Sequence, residues 1–213
     1  MKVAVLADIH GNLQALHAVC HHLDRWAPDE VLVAGDIVNR GPRSSACYDL
    51  IEQRCAGDGW LVVRGNHEEY VIERAAAEAP MLPQDSDVFG AIDWTRRSLG
   101  KRVANLTDLP TELRIPTSAG EVFLTHGSLL GSRDGVYLHT TEEELRRKVR
   151  VESLVFAVGH THRPLTRWFD GCMVVNAGPV GMPFAGDPRP AYVQIEIAKD
   201  GVYAKIVRIA YDQ

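Results

Sequence analysis

Met1-Lys2-Val3-Ala4-Val5-Leu6-Ala7-Asp8-Ile9-His10 is an apolar run that stops on a carboxylate and an imidazole. A short, continuous run of aliphatic side chains without alternation is what a strand covered on both faces requires. The same arrangement recurs along the chain. Val31 to Ala34 runs into Gly35-Asp36, and Leu61 to Val63 into Arg64-Gly65-Asn66-His67-Glu68. Val122 to Leu124 runs into Thr125-His126-Gly127, and Leu154 to Val158 into Gly159-His160-Thr161-His162. In open α/β sheets ligands lie outside the carboxyl ends of the strands, so parallel neighbours would bring all these clusters to one crevice.

Helical periodicity fills the intervals. Leu13, Leu16, Val19, Cys20, Leu23 and Trp26 fall on one stripe behind Asn12 as N-cap, which leaves His17, His21 and His22 mostly on the wet face. Further helices are expected from Ser44 to Cys55, Glu68 to Glu78, and Val88 to Leu99 before Gly100. Thr141-Glu142-Glu143-Glu144 is a capping box for a short helix through Val149. Met173 to Val175 is a further buried strand. Tyr192 to Ile197 and Val202 to Ile209 alternate around Lys199-Asp200-Gly201, the mark of an antiparallel hairpin. The fold class is α/β, closed by β-strands, in one domain over residues 1–213, with Pro80 to Asp87 as a flexible surface loop.

Composition narrows the function. With 46% hydrophobic and 24% charged residues, the chain matches neither disordered nor fibrous sequences. The first apolar run breaks on Asp8 too early for a signal peptide, and no run reaches membrane-spanning length, so a cytoplasmic protein without a membrane partner is expected. Cys20, Cys47, Cys55 and Cys172 are scattered without CxxC pairing, which argues against disulfides and thiolate metal sites. A net charge of -5 offers no general field for nucleic acid.

The clusters themselves carry the chemistry. One Asp-x-His or His-x-His pair is common by chance, but repeated strand-end placement is a context that chance does not supply. Imidazoles and carboxylates with an amide, and no thiolate, suit divalent ions such as manganese, iron, nickel or zinc. Gly11, Gly35, Gly65, Gly127 and Gly159 end strands in tight turns and also let backbone approach a small anion.

Asp8-Ile9-His10, Gly35-Asp36 with Arg40-Gly41-Pro42, Gly65-Asn66-His67-Glu68, His126-Gly127 and Gly159-His160-Thr161-His162 resemble, in order, the signature blocks of the calcineurin-like metallophosphoesterases. His10-Gly11-Asn12-Leu13, His126-Gly127-Ser128 and the stretch from Asn176 to Tyr192 resemble the small bacterial and archaeal phosphodiesterase branch. The resemblance implies a four-layer αββα fold, a two-sheet β-sandwich flanked by helices. It implies two divalent metal ions, manganese first among them. One would be held by Asp8, His10 and His162, the other by Asn66, His126 and His160, with Asp36 bridging. Water deprotonated at the metals would attack phosphorus in line with the leaving oxygen. His67 resembles the family's non-ligand histidine, which would protonate the leaving oxygen or stabilise phosphoryl charge.

Arg40 followed by Gly41 is similar to the protein-phosphatase and diadenosine-tetraphosphate-hydrolase branches, where an acid often stands at the place of Asn39. Arg40 is a candidate substrate ligand. Glu68 is expected behind the ligands, Asn176 as a support, and Tyr137 and His139 near the pocket or on the surface. The expected substrate is a small phosphodiester, with nucleotides among the candidates. Its alternatives are a phosphoprotein or a dinucleoside polyphosphate, and a non-catalytic scaffold on the same fold is the remote one.

Overall fold

The computed structural model describes residues 1–78, 80–83, 86–184 and 186–211. Strands β1 (Lys2–Leu6), β2 (Glu30–Val33) and β3 (Leu61–Val62) run parallel, with Ala4 opposite Val31 and Val33 opposite Val62. The hairpin of β9 (Ala191–Ala198) and β10 (Gly201–Arg208) is added antiparallel to β1, giving the order β10-β9-β1-β2-β3. The second sheet has the order β4-β5-β6-β8-β7. Its strands are β4 (Glu112–Thr117), β5 (Gly120–Thr125), β6 (Val155–Val158), β7 (Leu165–Phe169) and β8 (Cys172–Asn176). β5, β6 and β8 run parallel, flanked by antiparallel β4 and β7.

The strand-end clusters therefore come from two sheets and not from one open sheet. The reason is visible in β1. Ala4 and Leu6 face a helical layer, where they pack with Leu16, Val19, Leu23 and Ile51. Val3 and Val5 face the other sheet, where they pack with Val122, Leu124, Val155 and Ala157. A run buried by helices on one side and by a sheet on the other has no wet face, so its sequence does not alternate. The outer face of the second sheet carries Phe123 and Phe156, stacked with ring centroids 5.4 Å apart, beneath Leu145 and Val149.

Helix α1 (Leu13–Trp26) starts on Asn12, whose side-chain oxygen accepts the Ala15 N–H at 3.1 Å. Helix α2 spans Ser44–Asp58, three residues past the expected end, and stops at Gly59 in a left-handed conformation. Helix α3 (Asn66–Ala76) begins two residues before the expected Glu68, because the Glu68 carboxylate reaches back to the Gly65 N–H at 2.9 Å and caps the first turn. Helix α4 (Val88–Leu99) has Asp87 as N-cap and leads through a 3₁₀ turn to α5 (Val103–Leu106). The Thr141 capping box opens α6 (Glu142–Lys148), as its sequence predicts. Of the segment Pro80 to Asp87, Gln84 and Asp85 lie outside the described residues.

Candidate metal centre

Asp8 and His10 follow β1, Asp36 follows β2, and Asn66 and His67 open α3 directly behind β3. His126 follows β5, and His160 and His162 follow β6. All lie at the carboxyl edges of parallel strands, where the two sheets come together. Asp8, His10, Asp36, Asn39, Arg40, His160 and His162 each take a positive φ, between 46° and 72°. Side chains of this kind hold the left-handed region only where the surroundings compensate its cost, and such residues cluster at functional sites.

Four of these residues form one tight group. Single ligand-capable atoms of Asp8, His10, Asp36 and His162 lie within 4.8 Å of one another, all in buried side chains. His10 Nε2 is 3.1 Å from His162 Nε2 and 3.6 Å from Asp36 Oδ2, and His162 Nε2 is 3.5 Å from Asp8 Oδ1. Beside it, Asn66 Oδ1 lies 2.9 Å from His126 Nε2 and 2.8 Å from His160 Nδ1. Asp36 Oδ2 is 3.4 Å from His126 Nε2, so its carboxylate faces both groups.

Backbone carbonyls set the histidine tautomers. His126 Nδ1 lies 2.5 Å from the Ala34 carbonyl and His162 Nδ1 lies 2.5 Å from the Met182 carbonyl. A carbonyl only accepts, so both Nδ1 atoms carry hydrogen and both rings turn Nε2 toward the centre. Metal-ligating histidines are ordinarily oriented in this way by an outer partner.

Charge behaviour agrees with a cation site. Burial holds the His10, His67 and His160 imidazoles low, at about 3, 4 and 4, where they are neutral donors at pH 7. Burial alone would also lower His126 and raise Asp36, but their mutual attraction dominates: His126 is pushed up to about 10 and Asp36 is held below the usual carboxylate range. Burial, against the pull of His126, raises Asp8 well above that range. Its Oδ2 and His10 Nδ1 are buried without a hydrogen-bond partner. A buried carboxylate oxygen with no partner is costly, and a cation removes that cost. The donor chemistry fits a divalent metal.

Glu68 is a fastener and not a ligand. Its Oε2 accepts the backbone N–H groups of Asp36 at 2.8 Å and Gly65 at 2.9 Å, and its Oε1 accepts those of Ile37 at 2.8 Å and Val38 at 3.0 Å. Burial and the nearby Asp36 charge push this carboxyl up to about 7, while the Val38, Gly65 and Asp36 N–H donors pull it down. The β2 and β3 loops are thereby tied together so closely that a Cβ on Gly65 would lie 2.2 Å from Asp36 Oδ1. Asn176, at the end of β8, donates to the Gly159 carbonyl at 2.6 Å and to Thr161 Oγ1 at 3.0 Å, which shapes the loop carrying His160 and His162.

A cavity of about 450 Å³ opens over the centre, with Arg40, His67, Tyr70, Met182 and Phe184 around His10, Asp36, Asn66, His160 and His162. Tyr137 and His139 stack on each other at 5.2 Å outside the residues that line it. Met182 and Phe184 are additions that the sequence does not announce. Met182 contributes its carbonyl, and Phe184 stacks on His162 at 4.3 Å with an interplanar angle of 9°. They lie within the stretch from Asn176 to Tyr192, whose resemblance to the phosphodiesterase branch singles out neither residue. No helix among the described residues is long and apolar enough to cross a membrane.

Comparison with known proteins agrees with this geometry. The model of the calcineurin-like phosphoesterase superfamily domain matches residues 1–200. A solved metallophosphoesterase from Sphaerobacter thermophilus is similar at 26% identity and a TM-score of 0.76, over 100% of this chain and 89% of that one. Phosphodiesterase YfcE of Escherichia coli K12 is 23% identical over 194 residues, 88% of this chain and 84% of that protein. The symmetrical bis(5'-nucleosyl)-tetraphosphatase of Chromohalobacter salexigens is 36% identical over 100 residues, which are 41% of this chain and only 36% of that protein. The chain belongs to the calcineurin-like phosphoesterase superfamily, and it is a metal-binding hydrolase of phosphate esters.

Proposed function

We propose that this chain is a dinuclear enzyme that hydrolyses a small phosphodiester. Asp8, His10 and His162 hold one divalent cation, Asn66, His126 and His160 hold a second, and Asp36 is shared. One observation carries the reading: Asp36 Oδ2 lies 3.6 Å from His10 Nε2 and 3.4 Å from His126 Nε2, so a single carboxylate oxygen reaches both halves of the centre. A cation pair supplies an acidified water and charge neutralisation at the phosphoryl oxygens. The thiolate-free donor set supports manganese, with iron, zinc or nickel as alternatives.

The chain's own residues do the rest. Tyr70, Met182 and Phe184 wall the cavity and limit solvent around the phosphoryl group. Arg40, on the same wall, presents a guanidinium suited to two-pronged contact with phosphate oxygens. The His67 ring hydrogen-bonds the substrate oxygens. A cytoplasmic location, and a substrate held locally because the net charge is -5, complete the reading.

A dinucleoside polyphosphate is a second reading with its own support. A neighbouring cavity of about 380 Å³, lined in part by Gly11, Asn12, Gln14 and Gly41, shares His10, Arg40 and Met182 with the first. Two cavities on either side of a shared wall suit a substrate with two arms, and the similarity to the Chromohalobacter salexigens tetraphosphatase points the same way. The test is turnover of bis(p-nitrophenyl) phosphate, p-nitrophenyl phosphate and diadenosine tetraphosphate by manganese-loaded protein against a chelated control. Metal-dependent cleavage that favours the diester or the tetraphosphate over the monoester supports the proposal, and equal rates with and without metal refute it.

A further inference from the structure

Asn39 is 1% exposed and takes a positive φ of 71° in the loop after β2. The orientation of its amide follows from its neighbours. The backbone N–H of Arg40 lies 2.9 Å from Asn39 Oδ1, and an N–H needs an acceptor, so the oxygen is on that side. The Thr95 hydroxyl reaches the same oxygen at 3.5 Å. The amide nitrogen is therefore the atom that faces His67 Nδ1, at 2.8 Å. An amide NH2 only donates. Any form of His67 with hydrogen on Nδ1 sets two donors against each other, so Nδ1 accepts and the ring hydrogen sits on Nε2. That leaves the protonated nitrogen for the cavity that His67 lines.

The consequence concerns the leaving group. A neutral ring with hydrogen on Nε2 is a good hydrogen-bond donor, but releasing that hydrogen would create an imidazolate, and Asn39 has no proton to return. A neutral histidine acting as an electrophile in this sense has precedent in triosephosphate isomerase. We infer that Asn39 is a positioning residue that keeps His67 a neutral Nε2–H donor, and that the enzyme consequently cleaves phosphoryl groups whose leaving oxygen is weakly basic, phosphoanhydrides and aryl esters, in preference to alkyl esters. In that step a water oxygen forms the new bond to phosphorus and its proton passes to solvent. The old P–O bond breaks with its electron pair on the leaving oxygen, which departs as an anion, and His67 keeps its hydrogen throughout.

The inference rests on the phosphoesterase reading, and two measurements separate them. Long-range ¹H–¹⁵N correlation of the imidazoles in chelated protein reads the tautomer without turnover. The expected result is hydrogen on Nε2 and a bare Nδ1 for His67, with hydrogen appearing on Nδ1 in Asn39→Asp. Aspartate tolerates the same backbone region as asparagine, so this variant keeps the loop. Manganese-loaded parent and variant are then assayed on methyl phosphate diesters of p-nitrophenol, phenol and ethanol, and on diadenosine tetraphosphate. The parent should cleave the p-nitrophenol diester and the tetraphosphate far faster than the ethanol diester. Asn39→Asp should narrow the p-nitrophenol-to-ethanol ratio by about a hundredfold, the low end of what a positioned proton donor contributes. Hydrogen on Nδ1 in the parent, or an unchanged ratio in the variant, overturns the inference alone. Failure to cleave any ester overturns the phosphoesterase reading and the leaving-group preference together.

Discussion

The backbone N–H of His67 donates to Asp36 Oδ1 at 2.8 Å, so the carboxylate at the middle of the centre also anchors the residue beside Asn66, the proposed amide ligand. With Oδ1 taken up in this way, Oδ2 is left to face His10 and His126. Asp36→Asn keeps the shape and removes the charge. Metal content, measured by plasma mass spectrometry after desalting, should fall at both positions, and turnover should drop by more than about a hundredfold, the upper end of the cost of losing a mere outer partner.

His67 offers the converse case, because its ring faces the cavity while the proposed ligand set is complete without it. His67→Gln should bind metal like the parent yet lose about 10² to 10³ in kcat, the range for removing one donor aimed at developing charge. Parent-like turnover in this variant would remove His67 from the mechanism.

Glu68 makes four contacts to backbone N–H groups from a fully buried position. Removing one partner from a buried charged network costs about 3 to 5 kcal/mol, and for a chain of this size that corresponds to a melting temperature lower by about 10 °C. Calorimetry on Glu68→Ala checks this. A shift below a few degrees would mean that the loops after β2 and β3 hold each other without it.

Gly65 packs so tightly on Asp36 that an added Cβ would meet the Asp36 backbone nitrogen at 2.5 Å as well as its carboxylate. Gly65→Ala should push the carboxylate aside, abolish metal retention and lower the melting temperature. Retained stoichiometric metal on equilibrium dialysis would contradict that packing.

Away from the centre, Asp93 on α4 is fully buried and receives Arg74 at 2.9 and 3.1 Å, Arg96 at 2.8 Å and the Leu82 N–H at 3.0 Å. Hydrogen bonding from Arg74, the largest influence, holds its carboxyl well below the usual range. A lowered native pKa means stability that is present above the unfolded value of about 3.9 and is lost as pH falls toward the native one. The urea midpoints of parent and Asp93→Asn should therefore be well separated at pH 7 and converge below about pH 4. Parallel pH profiles would dismiss the linkage.

Much of the centre was legible because its residues end apolar runs, and the strand-end rule places such residues together without any knowledge of the sheets. The division into two sheets was not legible from the runs themselves. Val3 to Ala7 and Val122 to Leu124 look alike whether they are neighbours in one sheet or face each other across a core. Strands β4 and β7 leave little mark in the sequence because edge strands such as Leu165–Phe169 are only partly buried, with Thr166 and Trp168 exposed and Arg167 half-buried between them. The Met182 carbonyl was invisible for a different reason: any residue can lend a carbonyl, so its use leaves no trace in residue type.

The ligands at each proposed metal position come from both sheets. Asp8 and His10 lie on one sheet edge and His162 on the other, and Asn66 likewise stands across from His126 and His160. A cation bound in either place acts as a rivet through the sandwich, gripping only the assembled state, so that mass action makes the folded fraction rise with the free metal concentration. Scarcity of the ion would then remove the catalyst twice, first by silencing it and afterwards by letting the two halves part.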